Sequence, residues 1–257
     1  MRGALHRGSF VALSALMIAA GWALLLAWQA SPYARYMPHS ETAGLADFLC
    51  RAVPGGSILL PALGYVAGWV LMTAAMMLPT TLPLLAVFDR LTAARPDRVA
   101  LGWLLILGYI GAWSAFGLAA HLADQGLHRL VDPVIWPGPD GRLAGAILLG
   151  LAGLYQFSAL KRRCLDRCRS PMSFVLEHWR GQGERRQALL LGLRHGVYCV
   201  GCCWPLMAVM FVIGTGNFAV MLLLGTVMAA EKNLPGGRRL GMPMGAGLLA
   251  WAGLLVV

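Results

Sequence analysis

An all-α fold of the membrane-spanning kind is what this sequence predicts: a polytopic bundle of about seven helices with a cytoplasmic N-terminus. Composition carries the first part of that reading. Hydrophobic residues make up 58% of the 257 and charged residues 12%, with a mean hydropathy of +0.67. A soluble domain carries about 25% charge. The second observation is spacing. The apolar residues come in blocks of about 20, the length that crosses about 30 Å of hydrocarbon as a helix. The third is the distribution of arginine and lysine, which gather at the ends of alternate segments.

The first apolar segment runs over 9–28, preceded by Arg2 and Arg7. It is longer than the apolar region of a signal peptide, and Ala27-Trp28-Gln29-Ala30 puts Trp where cleavage wants a small residue. It reads as an uncleaved anchor. A second segment, 57–85, holds Met72, Met76 and Met77, then Pro79 and Pro83, which are expected to kink or end the helix. The third covers 99–122, the fourth 143–160 and the fifth 187–213. A turn at 214–217 leads to a sixth segment, 218–230, which spans only if Glu231 and Lys232 lie at the interface. The last is 241–257, and the chain forms a single integral membrane domain over 1–257.

With the N-terminus inside, the connections 89–98, 161–186 and 231–240 share one side. These are the Arg/Lys-rich ones, and 161–186 alone carries one Lys and seven Arg against three acids. The opposite connections, 31–56 and 124–142, carry two arginines each. The bias follows the positive-inside rule. The net charge of +10 therefore serves topology and anionic headgroups rather than nucleic acid.

Chemistry concentrates between Arg194 and Phe211. Five of the six cysteines fall between 164 and 203, with only Cys50 apart, and a bilayer protein is not a secreted disulfide framework. At about 100° per residue, with His195 as zero, Cys199 falls at about 40°, Cys202 at about −20° and Cys203 at about 80°. All four share one helix face, with Met210 on it as well. His195 and Cys202 lie about 10 Å apart along the axis. The arrangement is thus either a three-cysteine site or a ladder of ligands along a path. Pro205 cannot donate to the carbonyl of Gly201, which frees an oxygen beside the thiols. Gly196 and Gly201 let another helix approach closely.

Thiolates and thioethers select soft ions, Cu(I) ahead of Zn(II). Met76 and Met77 are further sulfur donors, and Glu231 lies within reach of the inner end. Cys164 and Cys168 lie four residues apart among arginines expected to lower a thiol pKa, and they are either a second ion-binding pair or incidental. The plain alternative for a single membrane Cys or Met is packing, for Arg194 a snorkelling interfacial role, and for His178 an ordinary loop position.

Five blocks in order resemble a known bacterial family. They are M-M-L-P at 76–79, C-L-D-R-C-R-S-P at 164–171, H-W-R-G at 178–181, R-H-G-V-Y-C-V-G-C-C-W at 194–204 and E-K-N-L-P at 231–235. The family is that of predicted metal-binding integral membrane proteins, a domain of unknown function with a G-x-x-C-x-G-C-C-W core. The resemblance covers about 60–235 and leaves 9–28 and 241–257 as additional helices. It implies metal binding at His195, Cys199, Cys202 and Cys203, with Cys164, Cys168 and Glu231 as further positions, in a bacterial inner-membrane protein.

Three functions are compatible with these residues. The first is soft-metal handling or delivery, with a donor or acceptor protein or a membrane complex as partner. The second is thiol–disulfide exchange through the Cys199–Cys202 pair. The third is a structural subunit. Nucleotide loops, Ser/His/Asp arrangements and zinc-protease helices are missing from the sequence, which disfavours an ATP-driven pump or a hydrolase.

Overall fold

The computed structural model describes residues 9–30, 59–130, 142–181, 183–213 and 218–256. Cys50, the 31–56 connection and the 214–217 turn lie outside them. The described residues form nine α-helices and one 3₁₀ turn, with no strand among them. They are α1 (Ser9–Ala30), α2 (Leu59–Leu91), α3 (Arg98–Leu130), α4 (Arg142–Gln156), α5 (Ala159–Arg169), α6 (Pro171–His178), α7 (Glu184–Ile213), α8 (Phe218–Asn233) and α9 (Gly241–Val256). The 3₁₀ turn Gly237–Leu240 precedes α9. Four stretches are long and apolar enough to cross a membrane: Trp69–Leu91, Arg98–Ala120, Glu184–Met210 and Gly237–Val256.

α7 is the axis of the molecule, touching α3, α4, α5, α6 and α8. Its closest neighbour is α3, and small residues explain why. Gly192 and Gly196, four apart, face Leu105 and Tyr109 to Ala112, while Gly108 faces Leu189 and Leu193. A methyl group at Gly192 would collide with the carbonyl of Leu105. Small residues four apart let two backbones meet at this separation. α4 pairs with α9 in the same manner, with Gly153 against Gly245 and Leu249. α1 lies along α2, where Gly21 meets Ala75.

Two expectations are corrected. Pro79 and Pro83 do not end α2, which continues to Leu91. Thr80 and Thr81 turn their hydroxyls back onto the carbonyls of Met77 (2.7 Å) and Leu78 (2.8 Å), and Tyr109 donates to Met77 from α3. The threonine bonds are the back-bonding that hydroxyls make to carbonyls one turn earlier in a helix. The second correction concerns 161–186, read as a basic loop. Most of it is helix. α4 stops at Gln156, Ser158 caps a new helix by accepting from the Lys161 amide at 3.0 Å, and Pro171 opens another. The buried positions of α5 are Lys161, Cys164, Leu165 and Cys168, spaced as one helical face. Its arginines point outward or cap a neighbour.

Contacts join the three basic connections at one end of the bundle. Arg95, after α2, pairs with Glu184 at the start of α7 and with Asp97 at 3.0 Å. Arg238 reaches Asp166 of α5 at 3.2 Å. Arg169 donates to the carbonyls of Glu231 and Leu234, satisfying acceptors that a helix C-terminus leaves free.

Candidate functional site

The thiols of α7 meet in a buried interior where α2, α3, α5 and α8 converge on it. Cys199, Cys202 and Cys203 are all fully buried. The shared face expected from periodicity is present, and its residues divide between two sides. Cys202 turns toward α5, its Sγ 4.0 Å from that of Cys168. Cys203 turns toward α2, its Sγ 3.7 Å from Met77 Sδ. Both thiols also donate to the Cys199 carbonyl, at 3.1 and 2.8 Å. That local bond is open to thiols three and four residues along a helix, and it fixes where the sulfurs point.

Cys164 completes the α5 side. It packs on the bare backbone of Gly201, where an added methyl group would lie 2.7 Å from its Sγ. Glycine at 201 is what admits the Cys164 thiol beside α7. The carbonyl of Gly201, freed by Pro205, accepts the Tyr155 hydroxyl from α4. It is thereby satisfied by protein, and the Tyr155 ring stacks edge-on against Trp204 at 5.4 Å.

Cys199 faces α3 and α8. The Tyr109 hydroxyl lies 3.0 Å from its Sγ, and the Lys232 ammonium lies 2.9 Å from it. Lys232 also reaches Thr80 Oγ1 at 3.2 Å and Cys203 Sγ at 3.7 Å. His195, one turn before Cys199, is buried between the rings of Tyr109 (5.9 Å) and Phe174 (5.4 Å). Its Nδ1 has no hydrogen-bond partner among the described residues.

The remaining candidates go elsewhere. Met76 packs on Gly225 of α8. Glu231 accepts from Lys161 through both oxygens, at 2.7 and 2.9 Å, and Gln156 shares the same ammonium. Both partners of this ion pair are buried, their side chains only 3% exposed. His178 closes α6 with its Nδ1 2.9 Å from the Phe174 carbonyl. Arg194 is exposed. Lys232 and Lys161, which sequence reasoning left at an interface and in a basic loop, are interior residues.

Among the described residues, no three or more His, Cys, Asp and Glu side chains are arranged to hold one metal ion. The sulfurs come instead as pairs. Thiolate bonds to a soft ion run near 2.3 Å, so sulfurs 4.0 Å apart can bridge one at an S–metal–S angle of about 120°.

A helix bundle with a sulfur-lined interior bearing its own cation is the class these features define. Residues 66–255 match the family model PpoB2, described as copper chaperone. The chain belongs to this family, and the match takes in every sulfur of the cluster and runs through nearly all of α9. No curated protein and no solved structure matches it. Family membership gives the chain a copper-handling role.

Proposed function

We propose that this chain is a multi-pass protein of the bacterial inner membrane that holds Cu(I) as cargo on the buried sulfurs around α7 and delivers it to an acceptor. The convergence of Cys199, Cys202 and Cys203 with Cys168, Cys164 and Met77 in one buried interior carries the reading. Thiolates and a thioether without competing carboxylates suit Cu(I) ahead of Zn(II). His195, with an unpartnered ring nitrogen, is a further ligand one turn along the path. Cys168, Cys164 and Met77 thus take a larger part than Glu231 or Met76, which have other partners.

Seven crossings with an inner N-terminus remain our topology. The contacts among 89–98, 161–186 and 231–240 support a common side for the basic connections, as the positive-inside rule requires. The outward leucines support a lipid surface. On α4, Leu143, Ile147, Leu151 and Leu154 are each more than half exposed, a face that water does not favour.

Metal content by mass spectrometry tests the proposal on detergent-purified protein loaded with Cu(I) under reducing conditions. Wild type retains stoichiometric copper, and the Cys199→Ser/Cys202→Ser/Cys203→Ser variant loses it. Copper kept by the triple variant defeats the assignment. Thiol–disulfide exchange is the second reading, and the 4.0 Å approach of Cys168 to Cys202 moves its redox pair from Cys199–Cys202 to Cys168–Cys202. A copper-free wild type with a reversible Cys168–Cys202 disulfide favours that reading.

A further inference from the structure

Lys232 is the one described residue that brings a formal positive charge into contact with the sulfur cluster. It is buried, and the adjoining carboxylate on α8, Glu231, is turned to Lys161 instead. Successive residues on a helix point about 100° apart, so the two neighbours serve different partners. The ammonium is left with Cys199 Sγ, Cys203 Sγ and Thr80 Oγ1 around it. A buried cation needs such partners, because in a dry interior nothing else replaces water.

An ammonium and Cu(I) carry the same charge and seek the same sulfur lone pairs. The ammonium and the ion therefore exclude one another from the Cys199–Cys203 side of the cluster. We propose that Lys232 is a tethered counter-cation, filling the Cys199–Cys203 position when no copper is held and exchanging one for one with Cu(I). This rests on the sulfur cluster being the copper site.

No electron is transferred in the exchange; a thiol proton leaves to solvent as Cu(I) binds the sulfurs, so the interior keeps its charge with the ammonium still inside. The ammonium keeps the Thr80 hydroxyl as it moves, since the four-carbon stem of lysine bends where a fixed group would not. A position already filled by a cation holds its cargo less tightly than the sulfurs alone would. Release to an acceptor is then eased by the lysine returning.

The experiment is a Cu(I) titration of the full-length chain against a chromophoric Cu(I) chelator, anaerobically and in detergent. Lys232→Met is expected to leave stoichiometry unchanged, raise affinity about tenfold or more and slow release to the chelator. Thr80→Val removes one of three ammonium partners when no copper is held but the main one left when copper is held, so copper binding weakens about threefold. Affinity unchanged or lowered in folded Lys232→Met overturns the proposal. Should that variant not fold, Thr80→Val binding copper as tightly as wild type overturns it. Loss of copper from the triple-serine variant with no gain in Lys232→Met defeats the exchange alone. Copper retained by the triple-serine variant defeats both readings.

Discussion

Tyr109 ties three elements together with one oxygen. Its hydroxyl meets Cys199 of α7 and the Met77 carbonyl of α2, at 3.0 and 3.2 Å, from a fully buried position on α3. Tyr109→Phe keeps the ring and removes only these bonds. The expected loss is about 1 kcal/mol of stability, read as an earlier unfolding midpoint in mixed micelles. Gly201 makes a sharper test. Gly201→Ala presses a methyl group into the Cys164 thiol and costs about 1–3 kcal/mol. Adding Cys164→Ala to the same chain makes room again, so the double variant is more stable than Gly201→Ala alone. Sequence periodicity made the α7 face legible because thiols three and four apart have few other reasons to align. It left Lys232 at an interface, since a lysine ending an apolar run ordinarily snorkels toward water. Only the neighbouring helices reveal that this one is enclosed.

At the scale of elements, α5 holds the main surprise. Its arginines suggest a solvated connection. The pattern beneath them was readable, because 161, 164, 165 and 168 fall at the spacing of one buried face. What the pattern could not supply was the partner for a lysine on that face. Glu231 is distant in sequence, and the Lys161–Glu231 pair forms only once α5 and α8 meet. Lys161→Met strands the Glu231 carboxylate in the interior, with an expected cost of about 3–5 kcal/mol. Lys161→Met/Glu231→Leu removes both charges and recovers most of that loss, measured by the same unfolding titration. The helix order of α1 to α4, α7, α8 and α9 was legible from apolar block length alone. The persistence of α2 through two prolines was not, because each proline removes a backbone donor that a helix ordinarily uses.

Across the whole molecule, the ion pairs and caps gather the basic connections at one end while leucines cover the outer walls. Reporter fusions give this a direct check. Alkaline phosphatase joined near residue 94 is expected to be inactive, and joined near residue 136 to be active, as the proposed sidedness requires. The reverse activities would invert the topology. One contact at the basic end has mechanical consequences. Arg169 grips the last carbonyls of α8 from the residue after Cys168, and Lys232 is part of the turn it grips. The guanidinium is therefore a rivet between a thiol on one helix and the ammonium on another. Those two helices are pinned to one another at this end of the bundle. Arg169→Ala should draw the rivet, so that amide hydrogen exchange quickens in α5 and α8 together while the α3–α7 pair, locked by Gly108 and Gly192, stays slow.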